Sequence, residues 1–165
     1  MPRMPRRATA RWGYAALACT ALAAVGLALV SQHVWDMQPC PWCVLQRLLF
    51  VLLAVAALPG VAWPTRRGAW VATAGVTVLA GLGVAAALWQ HFVAAASASC
   101  KLTLADRVLH GLALDTLLPE VFEPRASCAD AAVRLLGVWY EFWSLGLFVV
   151  LALAAWALAR RASRT

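Results

Sequence analysis

The chain has 165 residues, the length of one domain, and 64% of them are hydrophobic while only 13% are charged. A soluble domain is about half apolar and about a quarter charged. The composition therefore argues against a soluble enzyme and indicates a single integral membrane domain over residues 1–165. The formal net charge of +7 does not indicate a nucleic-acid partner, because basic and acidic residues occupy different segments.

Four apolar runs follow one another, each long enough to cross a bilayer, since about 20 helical residues span a hydrocarbon core of about 30 Å. They predict an all-α membrane protein, built as a four-transmembrane-helix bundle. The predicted spans are about residues 12–30, 42–59, 69–92 and 142–159. A cleaved signal peptide is the alternative for the first run, because it also begins with a basic arm. Gln32, His33 and Trp35 follow that run and leave no persuasive small-residue cleavage site.

The distribution of charge predicts the orientation of the bundle. Basic residues concentrate at both termini and between the second and third runs, where Arg66 and Arg67 stand. All seven acidic residues lie in the other two connections, at about residues 31–41 and 93–141. Because Lys and Arg concentrate in cytoplasmic loops, both termini are expected in the cytoplasm. The two acidic connections, including the long loop between helices 3 and 4, are expected in the bacterial periplasm.

Proline and glycine carry further predictions. Pro59-Gly60 and Pro64 are typical of a turn and are expected to mark the end of the second helix. In the third run, Gly75, Gly81 and Gly83 either allow neighbouring helices to approach closely or reflect a general abundance of small residues.

The long loop contains one helical pattern. Leu109, Leu112, Ala113 and Leu117 keep helical spacing. A short helix is predicted there, either lying on the membrane surface or packed as an ordinary loop helix. The pattern alone does not decide between the two.

The five cysteines fall into three groups. Cys19 lies inside the first apolar run, where a thiol acts as a small apolar filler. The other four fall on the predicted outer face as two pairs, Cys40 with Cys43 and Cys100 with Cys128. Disulfides persist in oxidising compartments such as the periplasm, and these four cysteines are therefore the candidate reactive residues.

The first pair forms a Cys-x-x-Cys motif where the second helix is expected to begin. The motif and a helix N-terminus both favour the thiolate, which is the reactive form of the thiol. Arg47 lies one helical turn beyond Cys43 on the same face. It is expected to stabilise a thiolate at Cys43 or an anion bound beside it. The alternative is an arginine that extends to the membrane interface.

Paired cysteines have two other uses. A zinc site is disfavoured because only one pair has Cys-x-x-Cys spacing, and His33, His91 and His110 give no finger-like spacing. Disulfides that only staple the outer loop are the second alternative. A disulfide within Cys-x-x-Cys closes too small a loop to constrain the unfolded chain much, and the motif therefore favours redox chemistry over stapling.

Over most of its length the chain resembles the DsbB family of membrane thiol oxidases. The resemblance rests on four crossings with both ends inside, on the two cysteine pairs and on short motifs around them. The motifs are Gln32-His33, Pro39-Cys40-x-x-Cys43, Arg47, Gln90-His91, Leu118-Pro119-x-Val121-Phe122, Leu136-Gly137 and Trp143. The chain departs from the family pattern at Gln46, where some members carry an acid, and at Glu141, where proline is common.

The resemblance implies a thiol:quinone oxidoreductase of the bacterial inner membrane that reoxidises the periplasmic disulfide donor DsbA, a thioredoxin-fold oxidase. Electrons would pass from DsbA to the loop pair, then to the Cys-x-x-Cys pair, then to ubiquinone or menaquinone. Cys100 is implied as the site of the mixed disulfide with DsbA, and Cys128 as the thiol that exchanges with Cys40. Cys43 is then released to reduce the quinone.

Two further residues are implied as cofactor-binding. Arg47 would hold the quinone, and His91 is a second candidate for quinone contact or proton handling. The implied partners are a DsbA-like oxidase, the membrane quinone pool and the lipid bilayer, without nucleic acid and without a metal. A related protein serving a different donor, and a structural bundle with a disulfide-stapled loop, are the alternative functions.

Overall fold

The computed structural model describes residues 6–96 and 103–163, with side chains described from residue 10 onward. The helices are α1 (Arg6–Val34), α2 (Pro41–Ala62), α3 (Arg66–Trp89), α4 (Leu104–Gly111), α5 (Leu114–Leu117), α6 (Pro119–Phe122) and α7 (Tyr140–Ser163). A π-helical turn, Gln90–Ala94, continues α3, and two short strands, β1 (Arg134–Leu135) and β2 (Val138–Trp139), precede α7. Residues 95–139 form the α3–α7 loop.

Within residues 6–96 and 103–163, four helices are long and apolar enough to cross a membrane, which confirms the predicted membrane-spanning four-helix bundle. The candidate spans are Ala10–Val34, Pro41–Ala62, Arg66–Ala94 and Tyr140–Ser163. Each extends beyond the apolar run that predicts it. A helix pairs its own backbone N–H and C=O groups, and it therefore continues past the apolar residues into the flanking ones.

The second helix does not end where the sequence predicts. α2 runs through Pro59 and Gly60 to Ala62, and the carbonyl oxygen of Pro59 accepts a hydrogen bond from the backbone N–H of Trp63 at 2.9 Å. Gly60 packs against the ring of Tyr14, and a Cβ atom at this position would overlap that ring. The predicted turn is therefore wrong at Pro59-Gly60, because the glycine serves a helix contact, but it is confirmed at Pro64, which lies in the connection between α2 and α3.

A buried polar cluster joins three helices at the end of the bundle away from the α3–α7 loop. The hydroxyl of Tyr14 on α1 lies 2.9 Å from that of Thr73 on α3 and donates to the carbonyl of Ala69 at 3.0 Å. Thr73 in turn donates to the carbonyl of Ala155 on α7 at 3.0 Å. In a bilayer such hydrogen bonds link helices, because lipid offers no competing partner.

Small residues bring α3 close to its neighbours at two of the three predicted positions. The rings of Phe50 and Phe148 stack with centroids 4.0 Å apart, and Phe148 lies directly over Gly83, where a Cβ atom would overlap its ring. A Cβ atom at Gly75 would lie 3.1 Å from an alanine of α2, whereas Gly81 has open space around it. Close approach therefore explains Gly83 and Gly75 but not Gly81.

The short helices of the α3–α7 loop pack on the first turns of α2. Leu109 of α4 and Phe122 of α6 are buried against Val44 and Leu48. This contact covers the start of α2 and holds the loop over the Cys-x-x-Cys motif.

The helical pattern predicted in this loop is interrupted. α4 ends at Gly111, and Ala113 takes a left-handed backbone conformation with φ 52° before α5 begins. Leu109 is buried, but Leu112 and Leu117 are exposed. The four residues of the predicted pattern therefore do not share one helix face, because the chain turns between α4 and α5.

A two-stranded hairpin sets the start of α7. β1 and β2 pair antiparallel, with Arg134 opposite Trp139. Leu136 and Gly137 both have positive φ, as a two-residue hairpin turn of the type I′ class requires. The sequence did not predict these strands, which are only two residues long.

Replacing Gly83 with Ala should destabilise the bundle by about 1–3 kcal/mol, because the added methyl group overpacks the site against Phe148. The matched control is Gly81→Ala on the same helix, where the open space leaves stability unchanged or slightly raised. The measurement is the thermal unfolding midpoint of each variant in detergent. Equal midpoints for the two variants would contradict the packing described here.

Candidate redox site

Cys40 precedes α2 and caps its N-terminus. Its backbone is extended, with φ −83° and ψ 167°, and its sulfur accepts a hydrogen bond from the backbone N–H of Cys43 at 3.3 Å. Pro41 follows at the first helical position, where a missing N–H costs nothing. The sulfur atoms of Cys40 and Cys43 lie 2.8 Å apart. The motif is thus arranged so that the two sulfurs can join or separate with little movement.

The α3–α7 loop brings Cys128 to the same place. The backbone N–H groups of Arg125 and Ala126 donate to the carbonyl oxygen of Pro39 at 2.9 and 3.2 Å. Cys128 is buried there and belongs to the same buried cluster as Cys40. Three of the four candidate cysteines therefore meet at the start of α2. The fourth, Cys100, lies outside the described residues.

The proximity of Cys40 and Cys128 shifts the pKa values of the two thiols in opposite directions. Interaction with the Cys128 side chain raises the pKa of Cys40 well above its ordinary range, and the neighbouring Cys43 and burial act in the same direction. Interaction with the Cys40 side chain lowers the pKa of Cys128, against the opposing effect of burial. Of the two thiols, Cys128 is therefore the one that more readily carries negative charge.

A chain of polar side chains leads from α7 to the sulfur of Cys43. The hydroxyl of Ser144 donates a hydrogen bond to the side-chain oxygen of Gln46. The amide nitrogen of Gln46 in turn donates to the side-chain oxygen of Gln90 at 2.8 Å. The amide nitrogen of Gln90 then donates to the sulfur of Cys43 at 3.2 Å. A hydrogen-bond donor at a sulfur atom favours its thiolate form, and this chain fixes the donor in place.

Arg47 is buried one helical turn beyond Cys43, with 6% of its surface exposed. Its guanidinium donates to the side-chain oxygen of Gln32 at 2.8 Å, to the carbonyl of Val121 at 3.1 Å and to that of Ala28 at 3.3 Å. Arg47 is therefore enclosed by protein groups rather than exposed on the surface of the bundle. It joins α2 to α1 and to the α3–α7 loop while placing a positive charge near the thiols.

His91 lies in the π-helical turn after α3. His33, from the motif before the first cysteine pair, is exposed near Glu120. Nδ1 of His91 lies 2.7 Å from Oε1 of Glu141. Glu141 stands in the first turn of α7 and is 2% exposed. The structure thus places His91 beside the redox site but in contact with a buried acid rather than with a cysteine.

A cavity of about 840 Å³ lies between α1, α2, α7 and the α3–α7 loop. Its apolar wall includes Val25, Phe50 and Leu147. Its polar wall includes Cys43, Gln46, Arg47, Gln90, Glu141 and Ser144. A large apolar pocket with a few polar groups is the usual form of a small-molecule site. The described residues contain no group of three or more His, Cys, Asp or Glu side chains arranged to hold a metal ion.

Sequence reasoning did not assign a role to four polar residues of this site, which are Gln46, Gln90, Ser144 and Glu141. All four stand near the outer ends of candidate membrane spans. Polar side chains inside candidate membrane spans are costly unless they have partners or a function. That rule, applied to amide and hydroxyl side chains as well as to charged ones, would have identified these four residues as candidate site residues.

Comparison with known proteins gives a consistent result. The family model described as "Disulfide bond formation protein DsbB" matches residues 10–158. Disulfide bond formation protein B of Ralstonia nicotianae is 35% identical over 149 residues, covering 89% of this chain and 92% of that protein. The protein of the same name from Polaromonas naphthalenivorans is 33% identical over 97% of this chain and 94% of its own length. Disulfide bond formation protein B 1 of Pseudomonas syringae pv. syringae is 37% identical, covering 79% of this chain and 78% of its own.

Replacing Cys40 with Ala should raise the pKa of Cys128 toward its ordinary value, because the variant lacks the Cys40 side chain whose interaction lowers the pKa of Cys128. Less thiolate would then be present at pH 7, and alkylation of Cys128 should slow by about tenfold for each unit of pKa. The measurement is the iodoacetamide reaction rate of the reduced protein, resolved by peptide mass spectrometry. Cys19→Ala is the control and should leave the rate at Cys128 unchanged; the same rate in Cys40→Ala would contradict the assignment.

Proposed function

Since the chain belongs to the DsbB family of disulfide bond formation proteins, we propose that it is a thiol:quinone oxidoreductase that reoxidises a DsbA-like donor. Membership of this family, together with four candidate membrane spans, identifies the chain as a membrane protein that takes part in disulfide bond formation. The donor, the electron acceptor and the path between them are the proposed part. One observation carries the proposal: Cys128, Cys40 and Cys43 are in contact, and Cys43 forms part of the wall of a largely apolar cavity.

The order of thiol exchange follows from this arrangement. The thiolate of the reduced donor attacks the sulfur of Cys100 in a Cys100–Cys128 disulfide, and Cys128 leaves with the electron pair. The released Cys128 thiolate lies in the same buried cluster as Cys40, and it is therefore placed for the next exchange. The second thiolate of the donor then releases it from Cys100 as an oxidised disulfide.

The second exchange passes the electrons inward. The Cys128 thiolate attacks Cys40 in a Cys40–Cys43 disulfide, and the Cys43 thiolate leaves. Cys43 has Gln90 as a hydrogen-bond donor and the positive charge of Arg47 one turn away, both of which favour a thiolate there. The Cys100 thiolate then attacks the sulfur of Cys128, which re-forms the Cys100–Cys128 disulfide and releases Cys40. The Cys40–Cys43 pair is thereby left as a dithiol at the cavity wall.

A quinone fits the residues of the cavity. Its ring and apolar tail would lie against the wall that includes Val25, Phe50 and Leu147, and its oxygens would face the polar wall. When bound, the quinone supplies an acceptor for the two electrons and two protons that a dithiol gives up on forming a disulfide. The dithiol of a DsbA-like donor has a potential of about −120 mV, which is above any ordinary thiol pool, and a quinone acceptor meets that requirement. Ubiquinone and menaquinone both fit a cavity of this size.

The proposed location is the bacterial inner membrane, with both termini in the cytoplasm. Arg66 and Arg67 stand at the end of the bundle opposite the cysteines, as do Arg160 and Arg161. The positive-inside rule then orients that end toward the cytoplasm. The cysteines and the acidic α3–α7 loop would face the periplasm, where a DsbA-like donor is found.

The test of the function is quinone reduction by the purified protein in detergent, with a reduced DsbA-like protein as donor and a decyl-substituted benzoquinone as acceptor. The wild-type protein should turn over, and Cys43→Ser should show no turnover, because the last thiol of the path is missing. Cys19→Ala is the control and should keep the wild-type rate. If folded wild-type protein oxidises neither this donor nor a small dithiol, the proposed oxidoreductase function is wrong. The remaining interpretation is then a four-helix bundle with a disulfide-stapled loop.

A second prediction concerns Arg47. Arg47→Met should raise the KM for the quinone analogue by about tenfold, the effect of losing roughly 1.4 kcal/mol of charge-assisted binding. Arg47→Lys keeps the charge and should recover part of that loss. Because Arg47 also bonds to α1 and to the loop, the unfolding midpoint is measured beside the kinetics. An unchanged KM in folded Arg47→Met would place Arg47 outside quinone binding.

A further inference from the structure

Glu141 is an acid buried inside a candidate membrane span. It is 2% exposed, stands in the first turn of α7 and forms part of the cavity wall. The positive end of the helix dipole favours a negative charge at this position. Even so, an acid in such a place is costly unless it is fully paired or has a function.

Glu141 is only half paired. Its Oε1 lies 2.7 Å from Nδ1 of His91, whereas its buried Oε2 has no hydrogen-bond partner among the described residues. His91 is held by aromatic contacts with Phe92, Trp139 and Phe142, and 23% of its side chain is exposed. The pair therefore connects the cavity wall to the surface of the protein.

The neighbouring polar side chains are already engaged. Gln46 and Gln90 bond to each other, Ser144 bonds to Gln46, and Gln90 bonds to Cys43. Another buried oxygen without a partner at the cavity wall, Oε1 of Gln38, lies in the connection between α1 and α2 and carries no proton to transfer. Near the amide chain that reaches Cys43, Oε2 of Glu141 is thus the atom free to meet a ligand.

We propose that Glu141 is a catalytic residue that hydrogen-bonds one oxygen of the bound quinone and delivers a proton to it as the dithiol is oxidised, with His91 as its positioning and proton-supplying partner. This inference rests on the proposed function. In the proposed step, one proton shared by Glu141 and His91 is the proton that is transferred.

The proton balance is complete. Oxidation of the Cys40–Cys43 dithiol forms one S–S bond and releases two electrons and two protons, and the quinone takes up two electrons and two protons. One proton reaches a quinone oxygen from the carboxyl group of Glu141. The other quinone oxygen takes one of the two thiol protons. The second thiol proton leaves to solvent, and His91 passes one proton from the surface to the carboxylate in exchange.

The decisive variant is Glu141→Gln, which keeps the shape and the hydrogen-bonding capacity of the side chain but has no acidic proton. Its matched control is Asp115→Asn, which alters the other close histidine–carboxylate pair, His110 with Asp115, outside the cavity. Both are compared with the wild type in quinone reduction. Glu141→Gln should lose about 100-fold in rate, as expected for loss of a positioned acid, while Asp115→Asn keeps the wild-type rate.

Two binding measurements accompany the rate, both in a Cys43→Ser background where no turnover occurs. The Kd of the decyl-substituted benzoquinone should change by less than about threefold in Glu141→Gln, because the amide still offers a hydrogen bond. Infrared difference spectra with and without this quinone should show a perturbed carboxyl band in the parent protein, and that band should be missing in Glu141→Gln.

The outcomes separate this inference from the proposed function. A wild-type protein that does not reduce the quinone would overturn the function itself. A wild type that reduces it, together with an equally active Glu141→Gln, would overturn the role of Glu141 alone. If Glu141→Gln does not fold, the infrared measurement on the parent protein tests the proposal instead. A carboxyl band that does not change when the quinone is added would overturn it.

Discussion

The site depends on one contact, in which the carbonyl oxygen of Pro39 accepts the N–H groups of Arg125 and Ala126. This contact docks a distant loop segment beside the first turn of α2. It allows the side chain of Cys128 to interact with that of Cys40 although no covalent bond joins the two segments. Because the docking uses backbone hydrogen bonds, the thiols remain free to exchange disulfides while the segments stay in register.

The bundle follows from the apolar pattern of the sequence, and the details that the sequence missed are tertiary. Four runs of sufficient length predict four spans, because lipid requires each crossing segment to pair its own backbone. Gly60 looks like a turn residue, yet it lies inside α2, since it makes room for the ring of Tyr14 on α1. The spacing of Leu109 and Leu117 looks like one helix, yet the left-handed backbone at Ala113 divides it. Neither contact partners nor backbone dihedrals of this kind are encoded in local periodicity.

The candidate site likewise has one part that local sequence predicts and another part that depends on the assembled bundle. Cys40, Cys43 and Arg47 stand close together in the sequence, and their spacing places them on the first turns of one helix. Cys128 could be paired with them only through family resemblance, because 84 residues, from 44 to 127, separate it from Cys43. The amides and the acid of the cavity wall belong to three different helices. They become a group only when the bundle is assembled.

The placement of charge around the cavity accounts for the identity of these polar residues. A carboxylate in contact with Cys43 would repel its thiolate, whereas the amide of Gln90 donates a hydrogen bond to the sulfur without adding negative charge. Gln46 extends this neutral chain to Ser144 on α7. The acid of the wall, Glu141, bonds instead to His91. Under the proposed function, thiolate stabilisation and proton supply are assigned to separate groups, so that a negative sulfur and a proton donor can act in one cavity without neutralising each other.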